Sequence, residues 1–296
     1  MGKAKRQHWV PRFYLKEFAT PETKGTSKPQ VWISSNKENV PAKVNVNDIA
    51  VKKYLYSPFT EDNERCWYTE DKLAGLESVI STVWPTIAND YVDLNQESIR
   101  KSIALFVATM ILRHPKNLND YKDIQSKLIA FYDNGPKDEL GRPALKSVEI
   151  NGEVREIDTS DWEKYSNPTD NDYMKFFTEI ITTEATKIAK ILMKKRWSIV
   201  FSEHPVFITT DCPVITFNQE KEIFGLDTKG TFINFPLSPT RVLVMDDKYD
   251  EPHSQYYPLN SHGPGPANFM AWQGAFNFMI TGRPPNEVFR EMQDYE

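Results

Sequence analysis

A histidine, an arginine and a tyrosine stand close together near the start of the chain, at His8, Arg12 and Tyr14, interleaved with Trp9, Val10, Pro11 and Phe13. Histidine titrates near neutral pH and can carry a proton, arginine makes forked contacts to carboxylate or phosphate, and tyrosine donates or stacks. Proline biases the residue before it toward extended backbone, and in extended chain alternate side chains point to opposite sides. His8, Arg12 and Tyr14 are therefore expected on one side. The competing reading threads this segment into the fold, where its polar groups satisfy buried carbonyls.

Four further positions carry chemistry. Glu77 lies four residues after Leu73 and three before Ile80, on the flank of an apolar helical face, where a carboxylate must be paired or shift its pKa. Arg113 and His114 end the next, very apolar helix. If the two helices pack antiparallel, Arg113 reaches the first one, either as half of a structural ion pair or as a phosphate-orienting group beside a catalytic carboxylate. Asp211, in Thr209-Thr210-Asp211-Cys212-Pro213, follows an apolar strand. It can ligate a magnesium-class ion or position a water, or it can accept backbone donors and shape a turn, the reading slightly preferred. Cys212 is a weaker nucleophile candidate, since only His204, eight residues upstream, offers a nearby base.

The elements that must position these groups can be read from periodicity. Residues 8–60 read as an extended start followed by short strands at 31–33 and around Val44 and Val46. Leu73, Leu76, Ile80, Val83, Trp84 and Ile87 recur three and four apart and predict a helix from about Thr69, which Pro85 should end or kink. A helix over about 96–113, capped at Asn95, is apolar on nearly every side from 103 to 112 and is expected at the centre. His114-Pro115 should stop it, with a short helix following over 120–132. Residues 133–167 turn polar and Gly/Pro-rich, and Val148, Ile150, Val154 and Ile157 around Asn151-Gly152 suggest a hairpin, as an insertion or flap. A long helix over about 170–195 precedes strands at 197–201, 206–209, 213–217, 232–235 and 241–245, then a last helix over about 266–280. Phe235-Pro236-Leu237-Ser238-Pro239 is read as the end of one strand and the start of the next. The fold class expected is α+β: a central helical core, N-terminal short strands and a C-terminal mixed or antiparallel sheet, as one domain over 1–296 with the insertion at 133–167.

Composition bounds the function. Lys and Arg number 36 against 41 Asp and Glu, a formal charge of −5, which argues against a surface steered as a whole toward nucleic acid. Lys187, Lys190, Lys194, Lys195 and Arg196 nevertheless form a local basic run, and the first sixteen residues carry five cations and no carboxylate, read as a solvated arm. Two cysteines and five histidines exclude a disulfide-dense scaffold or a Cys-rich zinc module. His253 and His262 fall in loop-like sequence, no zinc-site histidine spacing occurs, and neither a glycine-rich phosphate loop nor a dinucleotide fingerprint is present. No apolar run approaches the roughly 20 residues of a spanning helix. The charged start lacks a following apolar stretch, so no secretory signal is expected and the location expected is cytoplasmic, with reduced, partly buried thiols.

The octet His8-Trp9-Val10-Pro11-Arg12-Phe13-Tyr14-Leu15, with Phe18 shortly after, resembles the opening signature of the bacterial domain-of-unknown-function family 4238. The resemblance continues through Glu77, Arg113, the stretch Phe207-Ile208-Thr209-Thr210-Asp211-Cys212-Pro213-Val214, and Phe235-Pro236-Leu237-Ser238-Pro239, covering residue 8 to at least 239. Where the family usually reads Ile-Thr-Ser-Asp-Asn-Pro-Val, this chain has Thr210 for the serine and Cys212 for the asparagine, while Asp211 keeps its place. The resemblance implies no activity, but it marks His8, Arg12, Glu77, Arg113 and Asp211 as positions to inspect together. The leading expectation is a hydrolase-like pocket acting on a phosphodiester or related anion. Arg12, Arg113 and Tyr14 would hold the substrate, His8 would transfer a proton, and Glu77 with Asp211 would position water or a divalent cation such as magnesium. The alternatives are a non-catalytic protein-interaction or sensing module, in which these groups anchor the N-terminal segment, and a nucleic-acid binder using the run at 187–196.

Overall fold

The basic start of the chain is a strand, β1 (Arg6–His8), rather than a solvated arm. In the computed structural model, which describes residues 4–35, 40–144, 147–150, 153–156 and 158–295, Pro11 keeps extended backbone (φ −60°, ψ 141°) and the chain turns helical immediately after it, as α1 (Arg12–Glu17). Proline suits this position because its φ is already near helical and its missing donor is not needed there. The expectation that His8, Arg12 and Tyr14 share one side is thereby corrected. In a helix, residues two apart are rotated by about 200°, so Arg12 faces solvent while Tyr14 and Leu15 are buried.

β2 (Gln30–Ser35) and β3 (Ala42–Asn45) pair antiparallel, and β4 (Val51–Lys53) returns to pair with β1, His8 opposite Val51. α2 (Tyr68–Asn89) buries Leu73, Ile80, Trp84 and Ile87 of the expected stripe and partly buries Leu76, whereas Val83 is exposed, and Glu77 lies on the flank. It runs four residues past Pro85, whose side faces solvent, where water can solvate the carbonyl that loses its partner. α3 (Glu97–Leu112) is buried on nearly every side, as expected of the central helix, but is preceded by Gln96 with no side-chain cap. His114-Pro115 ends it and also begins α4 (Pro115–Asp133), five residues earlier than expected: His114 Nδ1 accepts the Lys116 backbone N–H at 3.0 Å, and Pro115 takes the first helical position.

β5 (Ser147–Ile150) and β6 (Glu153–Glu156) form the expected hairpin, although Asn151-Gly152 and Ile157 lie outside the described residues. After α5 (Trp162–Ser166), the long α6 (Asp170–Lys194) opens on a reciprocal cap between Thr169 and Asp172. β7 (Arg196–Phe201) follows, then β8 (Thr209–Thr210), shorter than expected, β9 (Ile215–Asn218), β10 (Thr231–Ser238), β11 (Arg241–Asp246) and β12 (Gln255–Pro258). The segment Phe235-Pro236-Leu237-Ser238 lies inside β10, where a bulge between Pro236 and Ser238 accommodates the proline. The last expected helix is divided: α7 (Gly265–Gln273) gives way to β13 (Phe278–Thr281), and α8 (Pro285–Met292) follows.

The architecture is α+β, with short N-terminal strands, a central helical core and a C-terminal mixed sheet in the order β12-β7-β11-β10-β9, where only β12 runs parallel to its neighbour. A second sheet, β3-β2-β13-β8, joins the two ends of the chain, because β13 lies between N-terminal β2 and the short β8. Among the described residues no helix is long and apolar enough to cross a membrane.

The central apolar cluster draws on α1, α2, α3, α6 and β10. Tyr14 lies at its centre, stacked on Phe235 with ring centroids 5.3 Å apart and meeting Trp84 edge-on at 5.8 Å. Its hydroxyl donates to the Pro236 carbonyl at 2.8 Å and shares a hydrogen bond with Thr209 Oγ1 at 2.7 Å. Tyr14 is thus a buried strut between α1, β10 and β8. Removing only this hydroxyl, in Tyr14→Phe, leaves two dry partners and is expected to lower stability by about 1–3 kcal/mol, measured by urea unfolding.

Candidate active-site cleft

Beside β1 and α1 opens a cleft of about 550 Å³. One side comes from the start of the chain, with Lys5, Arg6, His8 and Arg12, together with Asn47 from the turn after β3. The other comes from α2, with Glu70, Leu73, Ala74 and Glu77. The turn is set by Asn45, whose Oδ1 accepts the Asn47 backbone N–H at 2.9 Å and so aims the Asn47 carbonyl at β1. That carbonyl receives His8 Nε2 at 3.2 Å and Arg6 Nη2 at 2.9 Å, while Asn47 Oδ1 accepts from Arg12 Nη1 at 3.4 Å. Arg6 is also paired with Asp48 at 2.9 Å. Among the described residues Arg12 has no carboxylate partner.

A carbonyl only accepts, so Nε2 of His8 carries the hydrogen and the neutral ring keeps its lone pair on Nδ1. Burial, and then the charge of Arg12, lower the His8 pKa from 6.5 to about 4; the bond to Asn47 opposes them, and Arg6 and Arg113 add to the lowering. At neutral pH the ring is uncharged.

Arg113 stands behind this wall. It is 1% exposed, and its Nη2 donates to Glu77 Oε1 at 2.8 Å and to the His8 carbonyl at 2.5 Å. Burial disfavours its charge, but Glu77 and Tyr56 outweigh that and raise its pKa. Nε and Nη1 of the same guanidinium are buried without a hydrogen-bond partner among the described residues. Glu77 is 28% exposed and lines the cleft, so one carboxylate both neutralises the hidden cation and faces the opening. The antiparallel reach of Arg113 to the first helix is therefore real, and its partner is Glu77.

Asp211 and Tyr14 are not brought to the cleft. The Asp211 carboxylate accepts from the backbone N–H groups of Phe276 (3.0 Å), Asn277 (3.0 Å) and Phe278 (3.4 Å) and from Asn277 Nδ2 (2.9 Å), clamping the approach to β13. Burial nevertheless pushes its pKa up against the pull of these donors. The carboxylate does accept backbone donors, as the turn reading supposed, but from a segment far along the chain. Only its backbone is near the start of the chain: the Asp211 carbonyl accepts from Trp9 Nε1 at 3.0 Å. Burial, and then Asp211, push the Cys212 thiol up to about 11, which keeps it protonated, and His204 is exposed. In the basic run, Lys195 and Arg196 are buried against Asp247 at 2.9 Å and Asp246 at 2.8 Å, whereas Lys187, Lys190 and Lys194 are exposed. Among the described residues no three His, Cys, Asp or Glu side chains gather as a metal-holding set.

Asn47 and Glu70 were absent from the sequence-based candidates. Glu70 had a signal, seven residues before Glu77 and hence on the same helical face. Asn47 had none, because its contribution is mostly a main-chain carbonyl.

The profile of the family described as "Protein of unknown function (DUF4238)" matches residues 6–283. The chain belongs to this family. No curated protein and no solved structure matches it. The DUF4238 match begins at β1 and reaches past β13, so it includes the cleft apart from Ala4 and Lys5, the Arg113 pair and the Asp211 clamp.

Two consequences can be measured. Glu77→Gln removes the only carboxylate, among the described residues, paired with a guanidinium that cannot reach water, and is expected to cost about 3 kcal/mol in denaturant unfolding. His8 and His114 both have pKa values lowered from 6.5 to about 4, His114 mainly by burial. Between those pH values the unfolded chain binds protons that the folded chain refuses. Their contribution to stability is full above pH 6.5 and is lost as pH falls toward 4. Unfolding midpoints recorded from pH 7 to 4 should decline across that window, and His8→Gln should flatten the decline.

Proposed function

We propose that the cleft binds an anionic ester, with a phosphodiester as the leading case, and hydrolyses it. The observation that carries this reading is a neutral histidine, fixed by the Asn47 carbonyl, sharing a cavity with an Arg12 guanidinium that no described carboxylate neutralises. Arg12, assisted by Lys5, holds the anion and stabilises the charge that builds on its oxygens. His8 Nδ1 takes a proton from water, whose oxygen attacks the phosphorus as the bond to the leaving oxygen breaks. Arg113 acts from behind, holding the Glu77 carboxylate in orientation. A divalent cation such as magnesium would have Glu77 as its protein ligand on the cleft, with water and substrate oxygens completing its shell.

The low pKa of His8 bears on this chemistry. A base with a pKa of about 4 is always available at neutral pH, but it is weak. Part of the lowering comes from Arg12, and an anion seated on Arg12 offsets that charge. Substrate binding therefore raises the basicity of His8 when it is needed.

The second reading, a non-catalytic interaction or sensing module, draws on the way Trp9, Tyr14 and Arg113 spend their polar groups on anchoring the start of the chain. The nucleic-acid reading retains Lys187, Lys190 and Lys194, since Lys195 and Arg196 are committed to ion pairs.

Release of product from bis(p-nitrophenyl) phosphate and a panel of phosphodiesters, with and without magnesium, tests the proposal. His8→Gln should lower turnover by roughly 10²–10⁴-fold, and Arg12→Ala should raise KM as well. In wild type the acid limb of kcat/KM is expected near pH 4, with the limb of kcat at higher pH. No turnover of any anionic ester under either condition would remove the hydrolytic reading and leave the interaction module.

A further inference from the structure

A second concave face lies where α4 meets α5 and the start of α6, and it shares no lining residue with the cleft beside His8. Three cavities of about 510, 290 and 480 Å³ follow one another there. Leu128, Asp161 and Tyr165 line both the first and the second, and Tyr132 and Pro143 line both the second and the third, so the three form one groove. Tyr121 in the first and Phe131 in the third are about 15 Å apart along α4. Together the cavities exceed the roughly 300–1,000 Å³ of a small-molecule pocket. The shape suits a length of chain.

The lining selects the kind of chain. Ile124, Leu128, Phe131 and Phe176 are exposed along the groove, beside the mutually packed rings of Tyr132, Trp162 and Tyr165. The walls are helices, which bond their own backbone groups, so an extended strand would find no edge to pair with. The uncharged polar groups on offer are donors. Among the described residues the hydroxyls of Tyr121, Tyr132, Tyr165 and Tyr173 and Nε1 of Trp162 make no hydrogen bond within the protein. Aromatic faces tipped with donors match a polyproline II segment, whose rings are apolar and whose carbonyls have no internal partner.

One point of the groove calls for a cation. Asp158, Asp161 and Asp172 line it against a single base, Lys164. Asp172 is spent on capping α6 through Thr169, with Lys164 close enough to offset its charge, and Asp158 accepts the Ser160 backbone N–H at 2.8 Å. Asp161 stands at the start of α5, where an aspartate ordinarily caps the helix, yet its side chain makes no capping bond and, among the described residues, no ion pair. Other rings of the groove already face ammonium groups: Lys137 Nζ is 5.6 Å from the centre of Trp162 and Lys122 Nζ 5.1 Å from that of Tyr173, each paired with its own aspartate, Asp133 and Asp170. Tyr165, one helical turn after Asp161 and lining the same two cavities, has no such cation among the described residues.

We infer that this groove docks a proline-rich segment of another protein, bound as a polyproline II helix, with an arginine of that segment seated on Asp161 and Tyr165. Arginine suits the seat because its planar guanidinium forks onto a carboxylate and stacks on a ring. Nothing in this docking depends on what the cleft binds.

Fluorescence anisotropy of the full chain tests it, with a labelled peptide of one arginine joined to three Leu-Pro-Pro units, made with the arginine first and with the arginine last. Saturable binding of at least one of the two is expected. Glutamine in place of the peptide's arginine should weaken binding at least about tenfold, the equivalent of one hydrogen bond to a charged group. Asp161→Asn should weaken the arginine peptide by a similar factor and leave the glutamine peptide unchanged. Asp161 is exposed and caps nothing, so this variant should keep the wild-type unfolding midpoint. Phe131→Ser, exposed in the third cavity, should weaken both peptides alike. A peptide with alanine for every proline keeps the arginine and the leucines but favours the α-helix, and should bind at least about tenfold more weakly. Equal binding of the alanine peptide overturns the polyproline II assignment, and an arginine preference that survives Asp161→Asn overturns the seat. Absence of saturable binding for both orders overturns the docking groove itself.

Discussion

One buried guanidinium holds the three segments that make the cleft. Arg113 ends α3, bonds through Nη2 to the carbonyl of His8 in β1, and shares the same nitrogen with Glu77 of α2. A cation taken out of water loses several kcal/mol of solvation, which is recovered only by a close counter-charge and well-directed acceptors. The position of β1, the side chain of Glu77 and the end of α3 are therefore not independent: a shift in any one leaves the guanidinium charged and dry. Tyr56 adds a tie from the other side by donating its hydroxyl to the Arg113 carbonyl at 2.8 Å.

The opening octet divides its labour by geometry. From Arg6 to His8 the backbone is extended and pairs with β4, placing His8 at the cleft, and in the bend that follows the Trp9 N–H bonds to the carbonyl of Ala50, just before β4, at 2.9 Å. After Pro11 it is helical, so Arg12 turns outward and Tyr14 inward within a few residues. The same octet thus supplies two groups to the cleft and two struts to the core, Trp9 to the Asp211 carbonyl and Tyr14 to β10. Asp211 belongs to the second set, since its carboxylate secures the chain entering β13 and only its main chain touches the start of the protein.

Much of this was legible in the sequence where periodicity decides structure. The stripe on α2, the all-round burial of α3, the extent of α6 and the strands 197–201 and 241–245 follow from apolar spacing, and so does the place of Glu77 on a helix flank. What was not legible depends on contacts between distant segments. A proline followed by Arg-Phe-Tyr-Leu is compatible with strand or helix, and only the pocket formed by Trp84, Phe106 and Phe235 favours the helix that buries Tyr14. Pro236 breaks a strand by local rules, yet a bulge keeps β10 continuous. The pairing of β2 with β13 joins residues at opposite ends of the chain, and no local pattern announces it. Asn47 was invisible for a related reason, because a main-chain carbonyl has no signature in residue type.

Arg113 and Arg100 are both buried guanidinium groups, and the fold satisfies them in different ways. Unlike Arg113, Arg100 has no carboxylate partner among the described residues. It donates to the carbonyls of Met193 (3.0 Å) and Lys195 (2.5 Å) at the negative end of α6 and to that of Leu94 (3.5 Å) ahead of α3, and lies 4.3 Å from the centre of the Trp197 ring. The fold can therefore satisfy a hidden arginine with carbonyls alone. At Arg113 it does otherwise, leaving Nε and Nη1 without partners among the described residues while committing a partly exposed carboxylate to Nη2. Unpaired buried donors cost about 1–3 kcal/mol each, and such costs persist where the surrounding geometry serves a site. Here they accompany a carboxylate fixed at the lip of a cleft beside a neutral histidine. Well-paired carbonyls at this position would give a more stable protein without Glu77 held in that orientation.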